Sequence, residues 1–174
     1  MTTVPPEFSR PVALMRLGRD PYRQRIEATR EEREKLARRF ALLALDRLRA
    51  TVTLSRQEGG SILLEASFEA EFVQECVVSL EPVPGKLRQN FSLLYGPAAA
   101  LERDVVLDSE AITFEPISGE AIDIGEAVAQ ELSLALPAFP RDPDAAIAAA
   151  AADDAERPLA RLARLRIRDD ERSC

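Results

Sequence analysis

Few residues in this 174-residue chain combine type and spacing in a way that could do chemistry. Cys76 could serve as a thiolate nucleophile or a metal ligand, although a small buried residue is the simpler reading. Asp123 and Glu126 stand three residues apart. That spacing could hold a cation, and it equally suits an N-cap carboxylate followed by its capping-box partner. Glu81, beside Pro82, either caps a turn or offers a carboxylate to a partner. Arg141 either forms an ion pair or meets a phosphate. The remaining candidates are arginines in two groups. Arg10, Arg16, Arg19, Arg23 and Arg25 lie near the start, and Arg161, Arg164, Arg166 and Arg168 near the end. Such side chains neutralise phosphates with a salt-sensitive affinity that is largely independent of base sequence. Tyr22, within the first group, could stack on a base or simply pack.

Histidine is absent. This excludes Ser-His-Asp and Cys-His catalysis, His-ligated zinc and imidazole proton shuttles. An enzyme built from this chain would depend on carboxylates, Lys, Tyr or a borrowed metal, and no convergent acidic motif supplies one. No catalytic residue and no cofactor is assigned.

The net charge of −7 is unevenly spread. Arg10 to Arg39 carries ten basic and five acidic residues, whereas Ala50 to Glu156 carries five basic and twenty acidic ones. Arg157 to Cys174 returns to six basic and three acidic. Three readings fit basic ends around an acidic middle. The ends could pair with the body, the arginines could touch phosphates, or the acidic body could hold a basic protein.

The hydrophobic fraction of 46% is enough for a packed core. With no Trp, seven Phe and two Tyr, that core must be aliphatic. The first residues lack a basic segment followed by an apolar run, and the longest apolar run, Ala145 to Ala152, is too short for a membrane helix. A cytoplasmic protein without membrane contact is expected. Cys76 and Cys174 are far apart, and a reducing compartment fits them better than a disulfide.

The elements that must position these residues follow from periodicity. Thr29-Arg30-Glu31-Glu32 is a capping box and predicts a helix over 30–39, with Leu36 and Phe40 on one face. Leu48, Ala50, Val52 and Leu54 alternate with polar residues, as do Ile62, Leu64, Ala66, Phe68, Ala70 and Phe72. Joined by Glu58-Gly59-Gly60, these runs predict a hairpin. A strand continuing to Leu80 would be too long, so a bulge is expected near Gln74 to Cys76, and Pro82 to Gly85 reads as the next turn. Lys86 to Tyr95 alternates again. Ile112 to Phe114 forms a short strand, and Asp123 caps a helix from Ile124 to about Leu136, which Pro137 ends. The expected class is α+β: an antiparallel sheet, bent or barrel-like and built from hairpins, with two main helices packed on it. Residues 1–141 form the domain with its N-terminal arm, and 142–174 form an Ala-rich linker and an Arg-rich C-terminal segment.

Three blocks, Gln74-Glu75-Cys76-Val77-Val78-Ser79-Leu80-Glu81-Pro82, Ile122-Asp123-Ile124-Gly125-Glu126 and Leu134 through Pro137 and Pro140 to Arg141, resemble the YceD family of large ribosomal RNA subunit accumulation proteins. Phe8-Ser9-Arg10-Pro11 and Arg157-Pro158-Leu159-Ala160-Arg161-Leu162 are similar to the family's opening and closing elements. Many relatives carry Cys-x-x-Cys where this chain has Cys76 and Ser79, so their zinc-bearing form is not carried over. The resemblance implies a non-enzymatic factor in large ribosomal subunit biogenesis, acting on ribosomal RNA or a pre-ribosomal particle. The alternative is an acidic adaptor or chaperone for a basic ribosomal protein, gripping it through Glu65, Glu69 and Glu71. A metal-dependent nuclease ranks third.

Overall fold

The structure, a computed structural model, describes residues 6–97, 113–117 and 119–145. Among these residues seven strands and two α-helices follow one another as β1 (Pro11–Ala13), β2 (Tyr22–Glu27), α1 (Arg30–Arg39), β3 (Ala44–Arg56), β4 (Ile62–Glu75), β5 (Pro82–Gly96), β6 (Thr113–Pro116), β7 (Ala121–Asp123) and α2 (Ile124–Ala135). Strands β2-β3-β4-β5-β6 form one sheet, and β1 pairs with β7 in a second. The class is α+β as expected. Among the described residues the larger sheet is not closed into a barrel, because β2 and β6 are its two edges. It is also not wholly antiparallel, since β6 runs parallel to the end of β5.

The inner face of the sheet follows the period-two pattern. Leu48, Ala50, Val52 and Leu54 of β3 and Ile62, Leu64, Ala66, Phe68, Ala70 and Phe72 of β4 are all buried. Small and large residues oppose each other across strands, Ala50 against Phe68, Ala66 against Phe91 and Ala70 against Leu87, so the layer fills without overlap. Leu36 and Ala37 of α1 and Ile124, Val128 and Leu132 of α2 join the same core cluster. α1 packs on β3, and α2 packs on β4 and β5.

Three local expectations are corrected. No bulge interrupts β4 near Gln74 to Cys76; the strand runs in register to Glu75 and then ends in a turn at Val77 to Ser79. The irregularity lies on its partner, between Leu45 and Arg47 of β3, where Asp46 is the extra residue. Pro82 to Gly85 is not a turn but the start of β5, paired with Glu75 to Phe72. The carbonyl of Val73 accepts from the Leu43 N–H on the β3 side, so Pro84, opposite Val73, owes no donor to β4. Pro82 and Pro84, two residues apart, turn their missing N–H toward the free edge of β5. Gly85 is there for space: a Cβ would stand 2.5 Å from the Phe72 ring that covers it. Finally, β2 is a strand where only a charged arm was expected, which puts Arg23 and Arg25 on a sheet.

Helix α1 ends as a Schellman motif, with Leu42 N–H on the Ala37 carbonyl at 2.9 Å and Ala41 N–H on that of Arg38. Ala41 occupies the left-handed position usually held by glycine, at φ 53°. Ala41→Gly is expected to raise stability by about 0.5–1 kcal/mol, because the Cβ penalty exceeds glycine's extra chain entropy. Urea unfolding should show the midpoint rising with an unchanged slope.

Candidate functional site

Asp123 and Glu126 do not form a cation pair. One Asp123 carboxylate oxygen caps α2 by accepting from the N–H groups of Gly125 at 3.0 Å and Glu126 at 3.1 Å, and it also accepts from Arg10 N–H at 2.7 Å. Its other oxygen accepts the Ser9 hydroxyl. The capping box expected here is only half present, because the Glu126 carboxylate is drawn away to Arg39, 2.7 Å distant. Arg39 also meets Glu7 at 2.9 Å. Arg10, one of the phosphate candidates, is engaged within the molecule. Its guanidinium meets both oxygens of Glu32, at 2.7 and 2.9 Å, and lies over the Phe8 ring. Glu32 is the same residue that closes the α1 capping box with Thr29.

The Arg10 guanidinium, helped by the Thr29 N–H, holds the Glu32 carboxyl down to about 2 from an ordinary 4.5. A depressed carboxyl stabilises the fold above its unfolded pKa and loses that contribution as pH falls through the folded one. The wild-type chain should therefore lose stability between about pH 4.5 and 2 on this account. Glu32→Gln should flatten that part of the profile by about 1–2 kcal/mol after allowance for solvent screening, as read by denaturant melts across the acid range.

The Cys76 block and the Pro137 to Arg141 block, far apart in sequence, are brought together. Gln74 donates its amide to the Pro137 carbonyl at 3.1 Å, and Val77 N–H donates to that of Pro140 at 2.9 Å. Cys76 N–H bonds the Glu81 carbonyl and Leu80 N–H the Cys76 carbonyl, so the backbone of Glu81 closes the turn while its side chain stays exposed. Leu80 sits at φ 60° with its side chain exposed. Arg141 is exposed and makes no ion pair among the described residues.

Cys76 is buried, but it lies outside the contiguous core cluster. Its sulfur accepts from the backbone N–H groups of Asp142, Val78 and Ser79, each at 3.4 Å. The Asp142 N–H, followed by the Ser79 groups, lowers the thiol from 9.0 to about 7; covering the sulfur opposes the shift without cancelling it. One sulfur beside the Ser79 hydroxyl does not meet the four-donor demand of a structural zinc, and the described residues contain no cluster of three or more metal-ligating side chains. Thiolate absorbance in the ultraviolet should titrate with a midpoint near 7 in a Cys174→Ser background and move back toward the ordinary thiol value on unfolding.

The outer face of the large sheet carries the remaining candidates and several residues missed in the sequence. In one row across the strands stand Arg25, Thr51, Ser67 and Asn90, and in the next Glu27, Arg49, Glu69 and Arg88. Arg23 and Arg25 are exposed and unpaired among the described residues. Arg49 pairs with Glu69, Arg88 lies 3.6 Å from the same carboxylate, and Lys86 lies 3.4 Å from Glu71. Arg25, Arg49 and Arg88, with the hydroxyls of Thr51 and Ser67, line a shallow depression of about 180 Å³. A wider groove of about 550 Å³ runs between α1 and the start of β3, lined by Leu42, Leu43, Arg30, Arg33 and Arg38. Arg33 and Arg38 spend donors there on the carbonyls of Ala28 and Glu34. Arg16 and Arg19 are exposed in the connection before β2, and Tyr22 packs inward against the core. Arg161, Arg164, Arg166 and Arg168 lie outside the described residues, as does most of the predicted C-terminal segment. Arg49 and Arg88 were missed because they reach one face only through strand register, although their period-two positions marked them as outward-facing.

No described helix is long and apolar enough to cross a membrane. No curated protein and no solved structure matches the chain. A family model described as large ribosomal RNA subunit accumulation protein YceD matches residues 64–164, more than half of the chain, and spans the Cys76, Asp123 and Pro137 to Arg141 blocks. By that match the chain belongs to the YceD family, whose description ties it to ribosome biogenesis through accumulation of the large subunit's RNA.

Proposed function

We propose that this protein is a non-enzymatic, cytoplasmic factor in large ribosomal subunit biogenesis that contacts ribosomal RNA, or the pre-ribosomal particle, through the outer face of its five-stranded sheet. One observation carries the reading. Arg23, Arg25, Arg47, Arg49, Lys86 and Arg88 project from a face that neither α1 nor α2 covers, beside a row of neutral polar side chains. Cationic side chains spread over a sheet face neutralise a phosphate backbone without reading bases. Glu27, Glu65, Glu69 and Glu71 on the same face temper the field, so contact should be moderate in strength and steeply salt-dependent. The adaptor alternative on this same face has less support, because two of its three carboxylates, Glu69 and Glu71, are already paired with Arg49, Arg88 and Lys86, which leaves Glu65 alone without an ion pair among the described residues.

A labelled fragment of large-subunit RNA, titrated by fluorescence anisotropy at several salt concentrations, tests the proposal. Binding should weaken linearly with the logarithm of salt. Arg23→Gln, Arg25→Gln and Arg88→Gln should each lower the slope by about 0.7–0.9, the loss of one phosphate contact. The RNA should stay intact with added magnesium. Binding indifferent to these arginines would defeat the assigned face, and metal-dependent cleavage would defeat the non-enzymatic reading.

A further inference from the structure

We infer that the end of the molecule formed by the Cys76 turn and the segment after α2 docks a basic, apolar-bearing segment of a partner protein. Val77, Leu80 and Phe139 are 52%, 68% and 82% exposed. The hydrogen bonds of Val77 to Pro140 and of Gln74 to Pro137, together with that of Asp142 to the Cys76 sulfur, tie the two segments into one surface. Exposed aliphatic and aromatic side chains on a fixed backbone are ready-made interface anchors, since little ordering entropy is left to lose on binding. Leu80 sharpens the point. At φ 60° stability alone would favour Gly or Asn, yet the position holds a leucine whose side chain faces solvent.

Charge selects the occupant. Glu75, Glu81, Asp142 and Asp144 flank the apolar residues along the same two segments, against a single cation, Arg141. None of the four carboxylates is in an ion pair among the described residues. Nucleic acid and anionic lipid would be repelled, and a second copy would bring like charges together. Strand addition at the adjoining edge of β5 is blocked by Pro82 and Pro84. A segment carrying Lys or Arg around apolar side chains meets both the anchors and the collar. This surface is separate from the arginine face and uses the ribosomal reading only in the choice of one probe.

The test is titration of the full chain, free of RNA, with two probes: individually purified basic proteins of the large ribosomal subunit, and a synthetic Lys/Leu amphipathic peptide. Binding is expected to fall about tenfold or more in Leu80→Asn with Phe139→Ser. It should fall further at low than at high salt in Glu75→Gln with Glu81→Gln, and should not weaken in Arg25→Gln with Arg88→Gln, which remove positive charge from outside the patch. Asn tolerates the left-handed backbone, so the first variant stays folded, which circular dichroism checks. Patch-dependent binding of the peptide but of no ribosomal protein would uphold the surface and count against the ribosomal reading. Binding of neither probe, binding indifferent to the patch, or patch-dependent self-association would overturn the surface.

Discussion

The carboxylate of Asp123 is the joint on which the fold turns. It caps α2, receives Ser9 and Arg10 from the N-terminal arm, and ends the strand that pairs with β1. Arg10 hands the constraint on to Glu32 and hence to the first turn of α1, while Arg39 at the other end of that helix reaches Glu126 in α2. Both helices are thus referred to one short arm that buries Phe8 completely. The approach is close enough that a side chain at Gly125 would place its Cβ 2.2 Å from the Phe8 carbonyl oxygen. Hydrogen bonds to a charged group contribute about 1.5–3 kcal/mol each, so the joint carries a large part of a marginal total stability.

That joint decides which face of the sheet is free. With α1, α2 and the arm gathered on one side, none of these described elements covers the other side of β2 to β5. Opposite charges sit across neighbouring strands there, Arg49 against Glu69 and Glu71 against Lys86, which stabilises register while keeping the face hydrated. Arg23 and Arg25 on β2 have no such partner among the described residues, and this separates a surface able to engage phosphate from one merely laced with ion pairs.

The second organising centre is the turn after β4. Three backbone N–H groups converge on the Cys76 sulfur, one of them from Asp142 on the segment after α2. The cysteine acts as an acceptor that gathers backbone donors from both segments. In doing so it brings the two family-motif blocks together and leaves Val77, Leu80 and Phe139 on the outside.

Alternation and capping chemistry were legible from the residues because they are local. Thr29 with Glu32 marked the start of α1, Asp123 that of α2, and the alternating runs of β3 and β4 named the buried face residue by residue. Strand β2 was not legible, because Tyr22 to Glu27 has one buried apolar side chain, Ile26, and alternates the charged Arg23, Arg25 and Glu27 with the polar Gln24 and the half-buried Tyr22. Gly85 and Pro82 read as a turn because glycine's reason for being there, the ring of Phe72, comes from another strand. The sequence by itself determined the core face and the helix caps, which depend on spacing within one segment, and the α+β class and the family, which depend on the order of such segments along the chain. Only the tertiary structure decided that Arg10 is spent on Glu32, that Arg25, Arg49 and Arg88 share one depression, and that Cys76 meets Asp142. Those are distances between segments, fixed by strand register and by the arm's docking rather than by any local preference of the chain.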